Sequence, residues 1–86
     1  MRRVLFENEA FEEFTAWASE STKTFERLAR LIEEAARRTP FVGTGKPEPL
    51  KHQFKGCWSR RIDGEHRLVY TVSDEFITII ACREHY

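Results

Sequence analysis

With 86 residues, the chain has room for one domain, spanning 1–86, around a single modest core. Its 41% hydrophobic and 13% aromatic content excludes a disordered chain, and no apolar run approaches the length needed to cross a bilayer. A formal net charge of zero excludes a uniformly basic or acidic protein, yet it conceals a gradient: residues 1–35 balance to −3, residues 36–67 to +5 and residues 68–86 to −2. The basic middle is the kind of local patch that meets phosphates, although Lys and Arg also simply decorate solvated surface. Arg2-Arg3 leads into only a short apolar stretch, so no signal peptide and a cytoplasmic location are expected. Cys57 and Cys82 have no CxxC spacing, and two reduced, part-buried thiols are expected.

In chain order, Arg3–Phe6 reads as a short strand. Asn8 reads as an N-cap, after which Phe11, Phe14, Trp17 and Ala18 recur at helical spacing. Ser21 or Thr22 starts a second helix whose inward stripe is Phe25, Leu28, Ala29, Ile32 and Ala36. Thr39-Pro40 ends it, since proline disfavours helical geometry in the residue before it. The stretch PFVGTGKPEPL forms an ordered loop, with Pro47 and Pro49 stiffening the backbone around Glu48. Residues 51–55 read as extended. Trp58 to Ile62, the Asp63-Gly64 turn and Arg67 to Val72 read as a hairpin, and Phe76 to Cys82 as an interior strand. The order predicts an α+β domain: an N-terminal strand, then a two-helix hairpin packed on one face of a mainly antiparallel sheet.

Strand alternation puts Leu68, Tyr70 and Val72 on one side and Arg67, Val69 and Thr71 on the other. If the pleat persists along the last strand, residue 85 shares the side of 77, 79, 81 and 83, and an open concave face lined by arginines and ended by a histidine results. Such a face suits RNA cleavage without a metal. A base takes the proton of a ribose 2′-hydroxyl, an acid protonates the departing 5′-oxygen, and cations stabilise the charge on the phosphorane-like transition state. Glu48 is the candidate base, His85 the acid and Arg67 the phosphate clamp, with Tyr86 stacking on a base or donating a hydrogen bond. Each residue also has an ordinary explanation: Glu48 paired with Lys46 or Lys51, Arg67 paired with Glu65 or Asp74, His85 solvated at a strand end. The histidines, cysteines and aspartates are scattered without ligand spacing, so neither a metal site nor a cofactor is expected. GTGKPEP lacks the following helix that a phosphate loop needs.

The stretch RRTPFVGTGKPEPLKHQFKGCWSRRIDGEHRLVY, closed by ACREHY, resembles the YoeB (Txe) toxins of bacterial type II toxin–antitoxin systems, within the RelE superfamily. The resemblance covers essentially the whole chain and implies a RelE-like fold. It further implies a ribosome-dependent mRNA endonuclease acting in the A site of the 70S ribosome, a YefM-like antitoxin partner, and a homodimer. Carried over by position, it implies Glu48 as general base, His85 as general acid, Arg67 as the phosphate-stabilising arginine and Tyr86 as an active-site tyrosine. Lys51 and Arg61 match residues that hold RNA. Thr44, Cys57 and Glu84 depart from the family pattern, and Glu84 adds negative charge where RNA approaches. The rival expectation is a non-catalytic toxin of RelE or ParE fold that inhibits a protein target or the ribosome by binding.

Overall fold

The computed structural model describes residues 1–37 and 39–85. Its elements are β1 (Arg3–Phe6), α1 (Asn8–Glu20), α2 (Thr22–Arg37), β2 (Glu48–Pro49), a 3₁₀ turn (His52–Phe54), β3 (Trp58–Arg61), β4 (His66–Val72) and β5 (Phe76–His85). One five-stranded sheet has the order β1-β5-β4-β3-β2. The β1–β5 pairing is parallel and the other pairings are antiparallel. The helices cover one face of this mixed sheet, giving the α+β arrangement expected from the element order.

A single serine separates the helices. Ser21 has extended backbone and donates its N–H to Trp17 O, closing α1, while its Oγ accepts the Thr24 N–H at 3.2 Å and caps α2. Asn8 is not the N-cap of α1. Glu7 holds that position in extended geometry, without a side-chain capping bond, and Asn8 is already helical. The inward stripes also differ in phase from the expected ones. Ala10 and Trp17 of α1 are buried while Phe11 and Ala18 are exposed, and α2 buries Leu31 and Ala35 beside Leu28, Ile32 and Ala36. These residues meet Leu68, Tyr70, Ile77, Ile79 and Cys82 from the sheet.

Residues 51–55 are not extended. Lys51 precedes the 3₁₀ turn, and the bonds Phe54 N–H to Lys51 O, Lys55 N–H to His52 O and Cys57 N–H to Phe54 O wind the segment up. His52 pays for this with a left-handed φ of 59°. The β3–β4 hairpin forms as expected but not through a two-residue turn. Ile62 still donates its N–H to His66 O and stays in the core, residues 63–65 make the connection, and Asp63 Oδ1 accepts the N–H groups of Glu65 and His66 at 2.8 and 2.7 Å.

Packing in the loop after α2 is dictated by one buried guanidinium. Arg60, fully buried, donates from Nε to Tyr70 Oη, from Nη1 to Glu34 and Thr44 O, and from Nη2 to Thr39 O and Val42 O. Tyr70 in turn donates to Pro40 O at 2.6 Å. Gly43 is required where the loop passes Glu34, since a Cβ there would lie 2.3 Å from Glu34 Oε2 and φ is +120°.

Glu34 is held below the ordinary carboxylate value of 4.5, chiefly by the Thr44 N–H; burial opposes this, and Arg60 and the Thr44 hydroxyl add to it. A carboxyl more acidic folded than unfolded contributes stability above its unfolded pKa and loses it as pH falls through the folded one. Glu34→Gln is therefore expected to be less stable near neutral pH and to lose less on acidification. Urea unfolding at about pH 7 and about pH 3.5 checks this: equal acid losses in both proteins would remove Glu34 from the account.

Candidate functional site

The sheet face away from the helices carries the site. On regular β3–β4 register, Ser59 pairs with Val69 and Arg61 with Arg67, and both pairs point away from the core side occupied by Arg60 and Leu68. Glu48, paired with Ser59, joins that face from β2, and Glu84, paired with Arg67, joins it from β5. Two cross-sheet rows result: Arg61–Arg67–Glu84, and Glu48–Ser59–Val69–Ala81. Pro49 lacks an N–H, which suits β2 to the sheet edge.

Arg67 is the centre of this face. Its Nη2 lies 3.0 Å from Glu48 Oε1, and its Nη1 donates to Ser59 Oγ at 3.2 Å. The Arg67 side chain is 14% exposed and that of Glu48 51%. The arginine is thus held in place while the carboxylate remains open to a ligand. Arg67 pairs with neither Glu65 nor Asp74 in this arrangement. Arg61 lies directly across from it, so two cations share one row, an arrangement that costs stability unless anions stand near. Lys51 is exposed at the start of the 3₁₀ turn, beside the edge strand rather than on a strand.

His85 does not join Glu48 and Arg67. It pairs across the strands with His66, and their rings lie 5.2 Å apart. His66 in turn meets the Trp17 ring of α1 edge-on at 5.1 Å. The side shared by Ile77, Ile79 and His85 is therefore the helix side, and the histidine ends the covered face instead of the arginine face. Nor does the pleat persist between them. Two register shifts place extra residues in β5, one between the Tyr70–Ile79 and Val69–Ala81 pairs and one between Val69–Ala81 and Arg67–Glu84. Cys82, not Ala81, is the next buried residue after Ile79. Tyr86 lies outside the described residues.

Side chains of α1 repair the broken ladder. Glu13 accepts the Cys82 N–H at 2.7 Å, Trp17 Nε1 donates to Cys82 O at 2.9 Å, and Arg83 stacks 3.9 Å from the Trp17 ring while pairing with Glu20. The sequence contained Trp17 on an apolar stripe but nothing that showed Glu13 or Glu20 serving β5. Both thiols are free. Burial, with the Glu13 carboxylate adding to it, pushes the Cys82 thiol up to about 12, and burial raises that of Cys57. Neither is activated as a nucleophile.

The structure is similar over nearly its whole length to the YoeB dimer from Staphylococcus aureus, with TM-score 0.90, 39% identity, and 99% and 98% of the two chains covered. It is also similar to a chain of the heterotetrameric YoeB-YefM toxin–antitoxin complex of the same organism, with TM-score 0.88, 38% identity, and 100% and 99% covered. The protein is thus a toxin of the type II toxin–antitoxin class. Residues 6–86 match the family described as YoeB-like toxin of bacterial type II toxin-antitoxin system, and Toxin YoeB of Mycobacterium bovis is 50% identical over 86 residues, the full length of both. The chain belongs to the YoeB toxin family. No helix among the described residues is long and apolar enough to cross a membrane.

Proposed function

We propose that the protein is a ribosome-dependent mRNA endonuclease that cuts mRNA in the A site of the 70S ribosome and so inhibits translation. The observation that carries this is the exposed Glu48 carboxylate held 3.0 Å from a nearly buried Arg67 on the sheet face away from the helices. Glu48 takes the proton of the ribose 2′-hydroxyl. The oxygen attacks the adjacent phosphorus, and the 5′-oxygen leaves with a proton from His85. The products are a 2′,3′-cyclic phosphate, which water can then open to a 3′-phosphate, and a 5′-hydroxyl. Arg67 already holds one anion, and its guanidinium meets the developing phosphorane charge, while Arg61 and Lys51 hold the flanking RNA. Tyr86 is assigned to the same site as a base-stacking or hydrogen-bonding group. No cofactor enters these steps.

His85 must cross the strand end to act, and its exposed side chain at the last described pair of β5 leaves that movement local. An acid that reaches the phosphate only when substrate is seated supports dependence on the ribosome, since naked RNA lacks the surface that would bring it over. A YefM-like antitoxin is the proposed inhibitor, as in the relative's complex, and a homodimer the proposed free form. Both act where ribosomes are, in the cytoplasm.

Toeprinting in a translation extract tests the roles. Wild-type protein is expected to cut at A-site codons, and Glu48→Ala, His85→Ala and deletion of His85-Tyr86 each to lose the cuts, by a factor of about 10²–10⁴ per acid or base removed. Cuts that survive all three changes overturn the assignment. The position of His85 away from Arg67 favours one second reading, a toxin that inhibits its target by binding alone. Growth arrest decides it: His85→Ala protein as toxic as wild type means binding, not cleavage.

A further inference from the structure

Among the described residues, Glu65, His66 and His85 each offer a ligand atom within 4.8 Å of the other two. We infer that these three residues bind a borderline divalent transition-metal ion, with Zn²⁺ the expected occupant, and that the bound ion holds cleavage off by keeping His85 on the helix side of the sheet. The regulatory half rests on the proposed role of His85 as general acid; the binding half does not.

Sequence spacing is blind to this site because 19 positions separate the histidines, and it is strand register that places them directly opposite. Opposed residues have Cβ atoms about 4.5–5.5 Å apart, a span that two imidazoles close around one ion. His66 is already set for the task. Both oxygens of Asp63 lie 3.1 Å from its Nδ1, and Trp17 packs against its ring. A proton fixed on Nδ1 leaves Nε2 with a lone pair, the carboxylate–histidine–metal relay that orients a ligand and raises its basicity. Asp63 is itself anchored by the Glu65 and His66 N–H groups.

Bonds of about 2.0–2.2 Å at tetrahedral angles need ligand atoms about 3.3–3.5 Å apart. Glu65 and His85 are exposed and free to close that distance by rotamer change, while His66 stays where Asp63 holds it. Two imidazoles and one carboxylate suit Zn²⁺, Ni²⁺ or Cu²⁺; Mg²⁺ and Ca²⁺ require a set of oxygens. Water completes the fourth position. An imidazole whose nitrogen is coordinated has no proton there to give a departing 5′-oxygen.

Equilibrium dialysis of the full chain against ZnCl₂ in a non-chelating buffer, with bound metal measured by atomic emission, tests the site. One ion per chain is expected. His85→Ala and His66→Ala are expected to weaken binding at least about tenfold, and Asp63→Asn by about 10–100-fold. Cys57→Ser and His52→Ala are expected to bind as wild type, and excess MgCl₂ to displace nothing. His85 is exposed, so its removal leaves the fold intact, as circular dichroism checks. Zinc held equally well by His85→Ala and wild type overturns the site.

Toeprinting with zinc-loaded and stripped protein tests the regulation. Loaded wild type is expected to lose its cuts and regain them with a zinc-selective chelator, while His66→Ala cuts in both states. Zinc bound with the expected ligand dependence but without effect on cutting overturns the regulatory half alone. No cutting under either condition overturns the proposed function and the regulation with it, and leaves the dialysis result to decide the site.

Discussion

Arg60→Ala is expected to destabilise the protein by about 3–5 kcal/mol, a large part of the roughly 5–15 kcal/mol that holds a small domain folded. The side chain is fully buried, and its five N–H donors have found five acceptors: Tyr70 Oη, Glu34, and the carbonyls of Thr39, Val42 and Thr44. Truncation strands all of these at once. Three carbonyls of one loop then lose the donor that gathers them, and Glu34 loses its cation. The damage extends to the site, because that loop leads directly into Pro47-Glu48-Pro49. Arg60→Lys is expected to recover little, since one ammonium cannot reproduce a planar fork aimed at five acceptors. Urea unfolding measures both variants. An Arg60→Ala protein within about 1 kcal/mol of wild type would mean that desolvation of the guanidinium cancels everything its bonds provide.

Arg67→Ala is expected to lower single-turnover cleavage on programmed ribosomes by about 10²–10³, the usual loss when one preorganised donor is removed from a transition-state anion. Stability should change far less than for Arg60. Glu48, its ion-pair partner, is 51% exposed and is resolvated when the pair is lost, and the neighbouring Arg61 is relieved of a like charge. Ser59 keeps a site for water. Arg67→Lys is expected to stay well below wild type, because it cannot contact Ser59 and Glu48 together while facing a phosphate. Ribosome binding measured separately divides the two roles. Full-rate cleavage by Arg67→Ala would reduce the residue to a support for Glu48.

The two arginines show where sequence reasoning succeeds and where it stops. Alternation along β4 puts Arg67 on the side away from Leu68 and Tyr70, and that strand does pair with β3 without interruption. Arg60 and Arg61 are identical neighbours in the sequence, and nothing in it tells that one is walled in and the other lies in the cationic row. Only the packing of α2 and its following loop over β3 makes that distinction. Local chemistry located β1, both helices and the hairpin, because apolar spacing and turn residues act over a few positions. The 3₁₀ turn at His52–Phe54 escaped, since a left-handed histidine is not a sequence signal. So did the surroundings of His85: alternation puts it on the side of Ile77 and Ile79, and only the packing of α1 against β5 shows that side to be the covered one.

Those shifts give β5 more chain than the strand it lies beside, about 3.3 Å for each surplus residue. Because strand faces alternate, drawing in a single surplus residue would exchange neighbours all along the end of the strand. Arg83 would then stand where Glu84 stands now, directly across from Arg67, and an acidic neighbour would be replaced by a third cation in that row while His85 moved past His66. The surplus is a store of length measured in single residues, and each step of its release turns the end of the strand over. Deleting Ile80 alone removes one surplus residue yet leaves Ala81 across from Val69, Glu84 across from Arg67 and His85 across from His66, so the ladder can be straightened by shortening the chain without moving either histidine.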